Sequence, residues 1–137
     1  MPSLVRFGVS LDKDLSLKFD QHIKKNNYTN RSEAIRDLIR AELVQKEWEE
    51  NKEVAGAITL LYDHHKRELV NKLTDIQHDY GDIIMSSQHM HLDYNNCLEI
   101  IAIKGSPRQA EILANTLKAV KGVKHGTLSM STTGRNI

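Results

Sequence analysis

The sequence predicts an α+β fold in two parts. Residues 1–50 read as one strand and two helices, and residues 51–137 as a β-α-β-β-α-β unit. Three observations carry this. "LVRFGVSLD" alternates apolar and polar residues with the period of a strand. Two stretches after it repeat apolar residues every three to four positions behind capping residues. Beyond residue 53 the rhythm changes, and helical stretches are interleaved with short strand patterns.

In the first part, Val5, Phe7, Val9 and Leu11 share one face of the strand, and Arg6, Gly8 and Ser10 share the other. Asp12 is placed to cap a helix carrying Leu15, Phe19 and Ile23. "KKNNYTN" is a polar turn. Asn30 and Glu33 then resemble a capping box at the start of a second helix, with Ala34, Ile35, Leu38, Ile39 and Leu43 as its apolar stripe. That helix is expected to run on through "QKEWEENKE", with the charged stretch at 46–53 as helix end and linker, where Trp48 packs. A single strand exposes both edges, and so small a core is marginal on its own. A twofold dimer whose strands pair as an antiparallel ribbon satisfies both needs.

In the second part, "EVAGAITLLYD" is a strand and "HHKRELVNKLTDIQHDY" a helix with Leu69, Leu73 and Ile76 on one face. "IIMSSQHMHLD" and "CLEIIAIKG" are strands joined by "DYNN". Ser106 caps a helix that begins at Pro107, and "KHGTLSMST" is the last strand. This order is the ferredoxin-like pattern.

Composition narrows the function. Hydrophobic content of 39% and charged content of 27% describe a globular chain. No apolar run approaches the roughly 20 residues of a membrane helix. The first residues lack the pattern of a signal peptide, so a cytoplasmic location is the expectation. The single cysteine cannot form an intramolecular disulfide and matters only as a thiol or thiolate. Net charge is +1, with a mildly basic first third.

The chemistry concentrates in "QHMHLDYNNCLEI". Period-two geometry puts His89 and His91 on one face of a strand. With a loop of residues 92–96, Cys97 falls opposite His91 and Glu99 opposite His89; a four-residue loop would turn Cys97 to the other face. Two imidazoles and a thiolate suit Zn, Cu or Ni better than Mg or Ca, and Glu99 could orient a ring N–H from behind. The alternative is a buried cysteine that simply packs. Among the other histidines, His64 and His65 are adjacent and expected to point differently. His78 lies nine residues after Leu69, roughly 180° around the helix, and so faces away from its own core. It is either an exposed histidine or a ligand for a neighbouring subunit. Tyr62 is either a packed aromatic or a support for the site.

Taken in order, "LVRFGVSLD", "NNYTNRSEAIRDLIR", "QHDY", "SSQHMHLDYNNCLEI", "KG" and "GVKHG" resemble the nickel-responsive transcriptional regulators of the NikR family over nearly the whole chain. The resemblance implies an N-terminal ribbon-helix-helix DNA-binding dimer and an ACT-like metal-binding domain. It further implies a homotetramer, a dimer of dimers, holding one square-planar Ni(II) per subunit. The implied ligands are His89, His91 and Cys97, with His78 donated across a subunit interface, and the five-residue loop is favoured. Glu99 and Tyr62 support them. For double-stranded operator DNA it implies base contacts from the ribbon positions Arg6, Gly8 and Ser10 and phosphate contacts from Arg31 and Ser32. Gly8 departs from the polar side chain common there and cannot read a base edge. Glu33 and Asp37 match positions of a second cation site, monovalent or divalent, near the domain junction. The expected function is a cytoplasmic, non-enzymatic repressor of nickel uptake genes. Its rivals are a ribbon-helix-helix repressor answering another ligand or metal, and a nickel storage or delivery protein.

Overall fold

The computed structural model describes residues 3–137. Its elements are α1 (Lys13–Lys25), α2 (Arg31–Glu49), β1 (Val54–Tyr62), α3 (Arg67–Asp79), β2 (Ile84–Asp93), β3 (Asn96–Gly105), α4 (Pro107–Lys118) and β4 (His125–Met130). Two compact units divide after Ala41, inside α2 and upstream of the boundary expected at residue 50. The last turns of α2 count with the second unit because Glu47 and Trp48 are buried there, so this stretch is not a solvated linker. The Trp48 indole donates to the Ser131 carbonyl at 2.8 Å, and Glu47 accepts from the Thr132 hydroxyl at 2.7 Å.

In the first unit, Asp12 caps α1 by accepting from the Leu15 amide at 2.9 Å. Asn30 accepts from the Glu33 amide at 3.0 Å, and Glu33 reaches back to the Thr29 amide, one residue upstream of the box expected. Residues 3–12, which hold the strand expected in "LVRFGVSLD", carry no regular secondary structure in the single chain. A ladder requires a partner strand, and among the described residues none pairs with this segment. Val5, Phe7, Val9 and Leu11 are accordingly 83%, 69%, 60% and 43% exposed. Within this unit's helices α1 buries no residue fully, and Ala34 is the buried hydrophobic of α2 before Ala41.

The second unit is a four-stranded antiparallel sheet in the order β2-β3-β1-β4, with one helix in each β-α-β crossover. This is the ferredoxin-like arrangement. Val54, Ile58, Leu60 and Tyr62 of β1 and Cys97, Glu99, Ile101 and Ile103 of β3 line the buried face. Leu69 and Leu73 of α3 and Leu113 and Leu117 of α4 complete the core. Ser106 and Gln109 form the capping box that starts α4, with Pro107 at its first position. α3 begins only at Arg67, so His64 and His65 belong to the turn after β1 rather than to the helix.

Gly56 marks the closest backbone approach. A Cβ there would lie 2.6 Å from the Ser129 carbonyl oxygen and 3.5 Å from the Trp48 ring. Gly56→Ala is expected to push β4 away from β1 and cost about 1–3 kcal/mol in a denaturation experiment. An unchanged denaturation midpoint would mean that the two strands can separate freely here.

Candidate metal centre

The site is built from the β2–β3 hairpin. His89 pairs with Glu99 and His91 with Cys97, so these four residues occupy one face of two adjacent strands. The turn is shorter than the five residues expected. Asp93 already pairs with Asn96, leaving Tyr94 and Asn95 at the tip. The Asp93 carboxylate closes the turn by accepting from the Asn95 amide at 2.9 Å and the Asn96 side chain at 2.9 and 3.0 Å. A regular ladder continued from that pair would set Leu92 opposite Cys97 and turn the thiol to the other face. A bulge between His91 and Asp93 leaves Leu92 unpaired and restores the register.

Cys97 is 1% exposed and Glu99 2%. A carboxylate so buried requires partners, and it has them. The Tyr62 hydroxyl donates to Oε1 at 2.8 Å, and the Gln77 amide donates to Oε2 at 3.1 Å. Nε2 of His89 lies 3.3 Å from the same Oε2, and Nδ1 of His89 lies 3.4 Å from the Tyr62 hydroxyl. Tyr62 is therefore more than a packed aromatic, since it joins β1 to both Glu99 and His89. Burial, followed by the Glu99 hydrogen bond, pushes the Tyr62 phenol upward. Burial also pushes the Cys97 thiol up. The Met90 backbone N–H opposes this, and Glu99 adds to it.

The donor set, two imidazoles and a thiol, fits a borderline divalent ion such as Ni(II). Backbone register brings His89, His91 and Cys97 side by side, but in the single chain each imidazole rests on another partner. His89 leans on Glu99, and His91 stacks on His64 with ring centroids 4.1 Å apart. His78 is exposed near the end of α3, beside a groove it lines with Thr74, Gln77, Gly81 and Ile84. Among the described residues the tightest gathering of ligand atoms is a different one. Asp63, His64 and His65 bring one ligand atom each within 4.8 Å of one another. His64 and His65, expected to diverge, have centroids 4.1 Å apart because a turn imposes no strand or helix alternation on them. Burial, then the neighbouring His65 and His91, lowers the His64 pKa.

The remaining expected residues lie in the first unit. Arg6, Gly8 and Ser10 are exposed in the segment without regular structure. Ser32 is exposed in the first turn of α2, but Arg31 makes a two-point ion pair with Asp20, both bonds at 2.9 Å. Asp37 accepts from the Tyr28 hydroxyl and Glu33 from the Thr29 amide, so each carboxylate already has a local partner. Gln77 and His64 went unread as site residues. Gln77 left a signal: it continues the Leu69–Leu73 spacing, a polar residue on an apolar helix stripe.

Comparison with known proteins identifies the two parts of the chain. Residues 55–131 match the family model "NikR C terminal nickel binding domain", and residues 5–46 match "Ribbon-helix-helix protein, copG family". The expected boundary at residue 50 falls between the two matches. A provisionally named nickel-responsive regulator of Syntrophus aciditrophicus is 63% identical, over 98% of each chain. Another, from Chlorobium limicola, is 58% identical over 98% of this chain and all of the relative. A solved structure of an uncharacterized protein from Thermotoga maritima shares the fold, with a TM-score of 0.51 at 12% identity. It covers 56% of this chain and 95% of its own.

Tyr62→Phe removes the donor to a buried carboxylate oxygen. It is expected to cost about 1–3 kcal/mol of stability, read from denaturant titration. A neutral substitution would mean that water or a rearranged Gln77 satisfies Glu99 equally well.

Proposed function

The chain belongs to the NikR family of nickel-responsive, DNA-binding transcriptional regulators, and from that premise we propose that it represses nickel uptake genes when Ni(II) binds. The family is one of regulators, not enzymes. The observation that supports the ligand set best is the β2–β3 register, which lays His89, His91 and Cys97 on one sheet face. With His78 of the partner subunit they make four donors, one Ni(II) per chain, in a homotetramer of two dimers. Nickel bound there would supply a coordination link between two chains; His89 would give up one of its two ring contacts, with Glu99 or with Tyr62, to the metal and keep the other to orient the ring. A ligand set drawn from two subunits makes metal occupancy and subunit arrangement one equilibrium. That coupling is how metal would select the arrangement in which two ribbons meet two half-sites on operator DNA.

The ribbon would present Arg6 and Ser10 to base edges, with Gly8 allowing close approach, and the α2 start would bring Ser32 and Arg31 to phosphate. For Arg31 this means exchanging Asp20 for a phosphate. A second cation at Glu33 and Asp37 would compete with the Thr29 amide and Tyr28. The cytoplasm is the expected compartment, and among the described residues no helix is long and apolar enough to cross a membrane.

DNA selected from a random-sequence pool by the Ni(II)-loaded protein tests the proposal. Binding should appear with Ni(II), vanish with a chelator and be absent in Cys97→Ala. Binding indifferent to both metal and substitution would leave a repressor answering another signal. No sequence preference at all would favour storage or delivery.

The thiol adds a pH signature. Its pKa is raised in the buried site, so near neutral pH a proton must leave before the sulfur can bind metal. Apparent Ni(II) affinity should therefore rise with pH through the neutral range, by up to about tenfold per pH unit from this group. Competition titrations at several pH values would read this, and a flat profile would argue against a thiolate ligand.

A further inference from the structure

The turn after β1 contributes a run of ring contacts to the hairpin, one of them stacked and two tilted. The His64 ring lies 4.1 Å from that of His91 with the planes 10° apart, and 4.1 Å from that of His65 on its other contact. His65 in turn lies 4.4 Å from Tyr94 at the hairpin tip. The outer ring is fixed at its edge: Nδ1 of His65 is 2.9 Å from Asp63 Oδ1, and the His65 amide donates to the same oxygen at 2.9 Å. His64 differs. Its Nδ1 is buried with no hydrogen-bond partner, so ring contact rather than that nitrogen defines its place.

We infer that His64 is a positioning residue for the nickel ligand His91, setting the plane of that imidazole by lying flat against it. The inference rests on His91 being a ligand, as proposed above. Stacking suits the task because it engages the face of a ring and leaves the edge nitrogens available for a metal. His89 is oriented differently, through its edge, by Glu99 and Tyr62. The two imidazoles of one site are thus held by two devices. One uses polar contacts from Glu99 and Tyr62 and the other uses a ring supplied by the β1–α3 turn. Ordering a ligand before binding removes part of the entropy otherwise lost on coordination.

The test compares His64→Ala, which removes the ring, with His64→Phe, which keeps a flat ring and removes both nitrogens. Ni(II) is titrated into the 137-residue protein against a chelator of known affinity, and bound metal is counted per chain. A Cys97-dependent charge-transfer band marks the proposed site, and thermal melting checks that each variant folds. His64→Ala should bind Ni(II) about two- to tenfold more weakly, the worth of one aromatic pair. His64→Phe should remain within about twofold of the native chain, and both variants should keep one Ni(II) per chain and the band. Unchanged or tighter binding by His64→Ala would overturn the inference. So would a second Ni(II) in the native chain that both variants lose, because His64 would then be a ligand together with Asp63 and His65. A native chain with no Cys97-dependent band is a separate result: it removes the ligand reading itself, and this inference with it.

Discussion

The β2–β3 register is the constraint on which the proposed metal centre depends. Five residues separate His91 from Cys97, an odd number, while the hairpin closes through a two-residue turn. A regular ladder with that turn would point Cys97 away from both histidines, because a shift of one residue reverses every side chain on a strand. The bulge at Leu92 absorbs the odd residue. It costs one unpaired backbone position on an edge strand, where irregular pairing is tolerated best. In return the thiol shares a face with His91, and Glu99 shares one with His89.

Glu99 ties that hairpin to the rest of the domain. Its burial would be costly for an isolated carboxylate, but Tyr62 from β1 and Gln77 from α3 donate to its two oxygens. Three elements of the fold therefore meet at one side chain, beside the His89 ring. Gln77 also precedes His78, the residue proposed to serve the partner subunit. The helix that carries His78 is thereby tethered to the carboxylate beside His89. Displacing α3 would strain the Gln77–Glu99 bond at 3.1 Å and with it the setting of His89.

How much of this was legible in the residues depended on whether periodicity sufficed. Alternation in β1, β2 and β3 and the Ser106–Pro107 cap are local signals, and the observed elements lie within a few residues of those expected. Pairing of His91 with Cys97 was also anticipated, but by way of a longer loop. Bulges leave no period of their own, since one inserted residue looks the same as a loop residue in a linear pattern. The ring stack was illegible for a similar reason. His64 and His65 sit in a turn, where neither the strand nor the helix rule says which way a side chain points. Glu99 and Gln77 were different: each occupies a polar position on an apolar stripe, which is how a buried polar network announces itself. Buried Glu47 had no such signal, because it sits in a run of charged residues that reads as solvated.

The first unit shows why the strand expected at its start is absent from a single chain. Four apolar side chains alternate along residues 5–11 and remain largely exposed. Burying them as a lone strand would leave the backbone between them with unpaired polar groups. Pairing with the same segment of another chain satisfies those groups and covers the apolar row in one step, and it leaves Arg6 and Ser10 on the opposite face. The metal site has a parallel deficiency, with three donors on one chain and the fourth proposed from a neighbour. In the proposed assembly each unit is completed by another copy. For a regulator this is useful, since an equilibrium among assemblies is one that a bound ion can shift.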